Sequence, residues 1–330
     1  MNILVTGGAG YIGSHTVRAL CKAGHTPIVL DNLSRGHVES LPAGVEFIEM
    51  DIADPGVVDV IKKHNIEGIM HFAAHSQVGE SMVNPSIYYE NNVVGSYRLI
   101  ESARNGGVKY FVFSSTAAVY GEPKEVPIVE TAALNPTNVY GRTKLMIEQM
   151  LSDYSRIYGM RYVALRYFNA AGADQSGEIG EDHTPETHLI PIILEAALGK
   201  RDAITIFGTD YDTEDGTCVR DYIHVTDLAS AHVLSMEYLK NGGDSNVFNL
   251  GTGNGFSVQS IVDTTKEVTN VDFAVKYGER RAGDPGILIA SSQKAQTVLG
   301  WKPTHSDVKQ VIGDAWNWHQ GHPDGYKAAK

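Results

Sequence analysis

Two patterns of apolar and polar positions alternate along the 330 residues. Short, mainly apolar runs stand at residues 3–5, 27–30, 45–50, 68–74, 108–113 and 203–207. Their length and β-branched content suit strands buried on both faces. Longer stretches of helical character separate them. One follows Gly13; a second opens at Asn84-Pro85 and stops at Gly106-Gly107; a third follows Asn135-Pro136 and runs to Tyr158 before Gly159; a fourth spans 188–199. Asparagine or proline at the start and glycine at the stop are the expected boundaries. Strand alternating with helix predicts parallel strands joined by right-handed crossovers, an α/β fold with a doubly wound sheet.

The first run leads into glycines at positions 7, 8, 10 and 13. That layout is a phosphate cradle: Gly7 for the tight turn, Gly10 for close approach of the pyrophosphate, Gly13 for helix packing, with the N–H groups of Tyr11 and Ile12 at the helix start. A glycine-rich βα turn alone is a weak signal. Here the second run ends in Asp31, about 20 residues on, as a dinucleotide fingerprint requires. An acid there binds both ribose hydroxyls of NAD and repels a 2′-phosphate, so NAD is the expected cofactor, with Arg35 the one feature that suits the phosphorylated form. Other strand ends face the same crevice. Asp51, Ile52, Phe72, Ala73 and Ala74 are therefore candidates for the adenine and ribose, with strand-end packing an equal alternative for each. Asn91-Asn92 interrupts a helical stretch, where asparagine is a poor fit, so one of the pair is expected to make a specific hydrogen bond; Asn91 is assigned to the cofactor.

Composition narrows the class. A chain of this length with 42% hydrophobic residues can form roughly two domains. No apolar run is long enough to span a membrane, and a strand starting at residue 2 leaves no room for a signal peptide, so a cytoplasmic protein is expected. Cys21 and Cys218 form no motif and are expected as reduced thiols. A net charge of −12 argues against nucleic acid or an anionic membrane as partner. His319-x-x-His322 is the closest histidine spacing, but no further ligand cluster is evident near it, and no metal is expected.

The chemistry concentrates after the fifth run. It ends in Ser114-Ser115-Thr116, a hydroxyl cluster facing the crevice, and Tyr140 and Lys144 follow at i and i+4, on one helix face. A lysine ammonium and a positive nicotinamide nearby should lower the phenol's pKa and let it act as a base toward a substrate hydroxyl.

Together with 6–13, 113–116 and 140–144, the segments Arg166-Tyr-Phe-Asn169, 219–225 and 280–284 resemble the extended short-chain dehydrogenase/reductases over almost the whole length. The resemblance implies a Rossmann-type doubly wound parallel sheet over 1–170 and a smaller α/β substrate domain over 171–330, some segments of which return to the first. It implies inversion of UDP-galactose and UDP-glucose at C4 through a 4-keto sugar. Tyr140 is then the base, Lys144 its partner, and Thr116 the third hydroxyl, with Ser115 a competing assignment. It adds Asn32, Ser114 and Tyr167 to the cofactor contacts. For the UDP-hexose it implies Asn169, His188, Leu189, Phe207, Arg220, Arg281, Asp284 and Leu288, although His188 stands where many relatives have asparagine. Leu288 replaces a bulkier tyrosine, so N-acetylated UDP-hexoses should also fit. A homodimer through the helices at 84–105 and 138–158 is expected. A 4,6-dehydratase would need an acid and a base at positions 117 and 118, and both are alanine. A non-catalytic NAD sensor would not need Tyr140 or Lys144.

Overall fold

The computed structural model describes residues 1–280 and 285–326. Seven parallel strands form the main sheet. They are β1 (Asn2–Thr6), β2 (Thr26–Asp31), β3 (Glu46–Glu49), β4 (Gly68–His71), β5 (Tyr110–Ser114), β6 (Arg161–Tyr167) and a late strand, Asn246–Leu250. Their spatial order is Asn246–Leu250, β6, β5, β4, β1, β2, β3. The order reverses beside β1, so the β1 and β4 ends form the crevice of a doubly wound sheet.

Alternation along each strand decides which face a residue serves. Ile3, Val5, Val29, Met70, Val112 and Val163 pack on one face with Val17 and Leu20 of the helix Tyr11–Lys22 and with Leu228 and Met236 of the helix Val225–Lys240. Leu4, Ile28, Leu30, Ile69, Phe111 and Ala164 pack on the other, against Ile61, Leu99, Ile100, Ile147 and Leu151. Both faces are covered, which is why these strands read as mainly apolar runs. Three elements of the second half, Val225–Lys240, Asn246–Leu250 and the helix Gln293–Leu299, thus belong to the first body.

A smaller body is built by the helices Leu189–Ala197, Val258–Thr269 and Val308–Gly321 with the parallel strands Ala203–Phe207 and Ala274–Gly278. Short strands tie it to the main sheet: Asn169–Ala171 pairs with Tyr222–His224, and Val219–Arg220 pairs with both Phe256–Ser257 and Ile287–Leu288.

The helix expected over 84–106 starts at Pro85 and stops before Gly107, whose φ of 80° needs glycine. Its middle departs from expectation, because residues Tyr89–Gly95 form a π-helical turn. Asn92 explains the departure: buried there, its side chain accepts from His75 N at 2.9 Å and donates to His75 O at 3.0 Å and to Thr143 Oγ1 at 3.2 Å. A helix over Val78–Val83 was not expected at all. Among the described residues no helix is long and apolar enough to cross a membrane.

Burial also sets a pH limit on the fold. It lowers His15 and His232 to about 4 and His71 to about 3. Below pH 6.5 the unfolded chain takes up protons that these folded rings refuse, so their stabilising contribution is complete above 6.5 and is lost as pH falls toward 4. The urea midpoint should drop across that window, and His232→Leu should flatten the drop; an unchanged slope would show that His232 does not contribute.

Candidate active site

The cradle is built as the glycines require. Gly7 has φ +72°, and a Cβ there would lie 2.4 Å from Ala73 N, so the turn touches the end of β4. A Cβ on Gly13 would lie 2.1 Å from Gly7 O, so the helix packs directly on the loop. Gly10 is different. It is the N-cap of Tyr11–Lys22, and a Cβ there would meet only Gly7 O, at 3.4 Å. Protein packing does not demand glycine at 10; an anion approaching the helix N-terminus does. No side chain caps that terminus and no acid sits in its first turn, so the N–H groups of Tyr11, Ile12 and Gly13 suit a pyrophosphate.

Asp31 ends β2 nearly buried, and burial raises its pKa. Its carboxylate accepts from Ala9 N at 3.0 Å and Leu33 N at 2.9 Å, which locks the glycine loop to β2. Asn32 donates to Asp51 at 2.8 Å and joins the ends of β2 and β3. Ile52 is core, packed beneath Gly95, while Phe72, Ala73 and Ala74 are half-buried at the β4 end. Asn91 donates to Asn92 at 2.9 Å. Arg35 is held by the carbonyl of Thr184 at 2.7 Å.

The hydroxyl cluster divides by role. Ser114 Oγ is hydrogen-bonded to the Tyr167 hydroxyl. Ser115 Oγ donates at 2.5 Å to Glu148, whose carboxylate is paired with Arg166. Thr116 caps the following turn, accepting from Ala118 N at 3.1 Å, and its hydroxyl is the side-chain group that favours the Tyr140 phenolate. Ser115 is therefore committed away from Tyr140, and Thr116 is the hydroxyl beside it.

The helix Val139–Tyr158 delivers Tyr140 and Lys144, capped by Asn138 Oδ1 accepting from Gly141 N at 2.8 Å. Lys144 Nζ donates to Ser114 O at 2.8 Å and stands 5.8 Å from the Tyr140 ring centre. The expected lowering of the phenol is not what the protein alone produces. Burial pushes Tyr140 up to about 12, only partly opposed by Thr116, and pushes Lys144 down to about 7. The fixed positive charge of a bound nicotinamide is the influence that would favour the phenolate.

Sequence reasoning missed the network behind these groups. Arg166 reaches Glu148 with Nε at 3.0 Å and Nη2 at 2.5 Å, and donates from Nη1 to the Tyr120 hydroxyl at 2.9 Å. Tyr120 in turn donates to Asn249 at 2.6 Å. Only the burial of a paired charge reveals it, and sequence spacing does not.

On the substrate side, Leu288 and Arg220 are register partners, and Asp221 N donates to Leu288 O at 3.1 Å. Asn169 donates to Asp221 O at 3.2 Å, so these residues form one wall. Leu288 packs on the buried cluster of Ala117, Val119, Tyr120 and Ile128, directly after Thr116. Arg220 also donates to Val219 O at 2.8 Å. Phe207 ends its strand with 37% of its surface exposed, and Leu189 opens its helix against the core of the smaller body. Arg281 and Asp284 lie outside the described residues. His188 is not aimed like an asparagine: its Nδ1 lies 2.9 Å from both Glu181 and Glu186. Burial alone would lower it, but the two carboxylates outweigh burial and raise it. The polar loop holding these acids had shown no such cluster in the sequence reading.

A glycine cradle at a helix N-terminus, an acid closing β2, and a buried lysine and threonine with a half-buried tyrosine at the β5 end define a dinucleotide-binding enzyme of the doubly wound class. Residues 3–251 match the model of the NAD dependent epimerase/dehydratase family. The chain belongs to that family. It is 54% identical over 327 residues, 99% of this chain and 98% of the other, to the UDP-glucose 4-epimerase of Halalkalibacterium halodurans. The UDP-glucose 4-epimerase of Brucella ovis, solved in complex with NAD, superposes with TM-score 0.93 at 49% identity, covering 96% and 97% of the two chains. The UDP-Glc/GlcNAc 4-epimerase of Campylobacter jejuni gives 0.85 at 45%, covering 97% and 99%.

Gly10 and Gly13 separate binding from folding. Gly10→Ala should unfold at a urea concentration close to wild type yet bind NAD roughly tenfold or more weakly by calorimetry, because its methyl fills the cradle. Gly13→Ala should lose about 1–3 kcal/mol of stability. Undiminished NAD affinity in Gly10→Ala would move the pyrophosphate elsewhere.

Proposed function

We propose that the chain interconverts UDP-glucose and UDP-galactose at C4 as an NAD-dependent epimerase. The observation that carries the reading is the Thr116–Tyr140–Lys144 arrangement beside the cradle, in a chain whose relatives of nearly equal length are UDP-glucose 4-epimerases. Bound NAD supplies the acceptor and donor of hydride at C4. Tyr140 takes the proton of the C4 hydroxyl and returns it after the 4-keto sugar turns over. Thr116, next to Tyr140, orients the sugar hydroxyl. Lys144, fixed on Ser114 O, places a cation beside the phenol. Asn169, Arg220, Arg281, Asp284, Leu189 and Phe207 hold the uridine diphosphate between the cofactor body and the smaller body, which divides the chain near residue 170 apart from the later segments that return to the first body.

Leu288 sits against the turn that follows Thr116, so it borders the sugar. A leucine there leaves room for an N-acetyl group, and UDP-N-acetylhexoses belong to the substrate range; the similarity to a UDP-Glc/GlcNAc 4-epimerase supports this. A homodimer through the helices at 85–106 and 139–158 fits the exposure of Tyr97, Ile157 and Tyr158, although Met150 and Tyr154 pack on the chain's own core. Light scattering at micromolar concentration should give twice the chain mass; a single-chain mass would remove the dimer. A cytoplasmic setting suits two free cysteines, one of them exposed.

Turnover without added NAD tests the reading. The purified protein should convert UDP-galactose to UDP-glucose, and Tyr140→Phe should lower the rate at least ~10²-fold while remaining folded. In the same assay Leu288→Tyr should suppress conversion of UDP-N-acetylgalactosamine up to about a hundredfold and spare UDP-galactose. A wild type inert toward every UDP-hexose would end the proposal.

A further inference from the structure

Residues Glu181, His183, Glu186 and His188 come from one eight-residue run and turn a ligand atom each toward a common point. All four atoms lie within 4.8 Å of one another. His188 Nδ1 is 2.9 Å from Glu181 Oε1 and 2.9 Å from Glu186 Oε1. His183 Nδ1 is 3.2 Å from Glu181 and 3.5 Å from Glu186, yet it is buried and makes no hydrogen bond. Both glutamate side chains are only 5% exposed. Two carboxylates brought together away from water repel each other unless positive charge lies between them.

We propose that this cluster is a zinc site that pins the loop joining the cofactor body to the substrate body. Two imidazole nitrogens and two carboxylate oxygens are a tetrahedral donor set for zinc and a poor one for magnesium or calcium, which prefer oxygen alone. Zinc–ligand bonds of about 2.0–2.2 Å place neighbouring ligand atoms roughly 3.4 Å apart, inside the range observed here. The two carboxylates neutralise the dication, so a buried site carries no net charge. Four protein ligands close the coordination sphere, which makes the role structural. A polar cavity of about 200 Å³ lined by Glu181, His183, Glu186, His319 and His322 borders the cluster and gives the ion an entry path. The pinned loop is the one that crosses to the cofactor half: Arg35 holds Thr184 O at 2.7 Å, and Gln77 holds Pro185 O at 3.2 Å. The rival arrangement has both histidines protonated, and the four side chains satisfied without a metal.

The test reads metal and not turnover, so it stands apart from the proposed activity. Protein stripped with a chelator and dialysed against micromolar zinc should retain one zinc per chain by mass spectrometry, and zinc should raise its thermal midpoint. Cobalt in its place should give the intense visible bands of a tetrahedral ion. His183→Gln and Glu186→Gln, each checked for folding by circular dichroism, should weaken zinc retention roughly tenfold or more. His319→Gln, which alters the cavity and no ligand, should keep it. Retention well under one zinc per chain, weak octahedral cobalt bands, or zinc that persists in the ligand variants would each overturn the site in favour of the protonated cluster. Should the ligand variants fail to fold, wild-type stoichiometry and the cobalt spectrum decide alone.

Discussion

A carboxylate buried as deeply as that of Glu148 is tolerated only if its charge is matched, and Arg166 matches it with two hydrogen bonds. The catalytic face depends on this pair. Glu148 lies on the helix that carries Tyr140 and Lys144, and Arg166 lies on β6, so the pair fixes that helix against the sheet. Its spare capacity is used locally. Glu148 takes the Ser115 hydroxyl, which leaves Thr116 to Tyr140, and Arg166 orients Tyr120, which holds Asn249 on the late strand. One matched charge thus sets which hydroxyl faces the cleft.

Much of the fold was legible because burial on both faces writes itself as mainly apolar runs. The glycine loop was legible for a related reason: Gly7 and Gly13 are demanded by backbone contact. What stayed hidden depends on atoms that meet only in three dimensions. The π-helical turn at 89–95 answers to Asn92 bonding the backbone of His75, 17 residues away. The cluster at 181–188 was within reach, since all four ligand residues stand in one short run, but its two histidines are five apart, wider than the His319–His322 spacing. The choice between Ser115 and Thr116 could not be made from two adjacent hydroxyls, because it rests on where Glu148 lies.

The acid–base reading needed a physical correction. Spacing alone suggested that Lys144 would lower the Tyr140 phenol. In the folded chain both groups are desolvated, and desolvation opposes charge on each, raising the phenol and lowering the ammonium. Each group resists its charged form, and a further positive charge entering the site favours the phenolate while disfavouring the ammonium still more. Such a site is quiet in the absence of its cofactor, because the phenol keeps its proton.

The late strand Asn246–Leu250 has a consequence for the chain's birth. It covers the open edge of β6, yet the two are separated by the residues between Tyr167 and Asn246. At ribosomal speeds of about 5–20 residues per second, that separation corresponds to roughly 4–16 s. Throughout that interval the apolar strand Arg161–Tyr167 exposes an unpaired row of backbone donors and acceptors, the kind of template that recruits other nascent strands. The half of the molecule that holds the cofactor cradle is therefore sealed only when the half that holds the sugar is largely made, and synthesis, not catalysis, is when this sheet is most vulnerable.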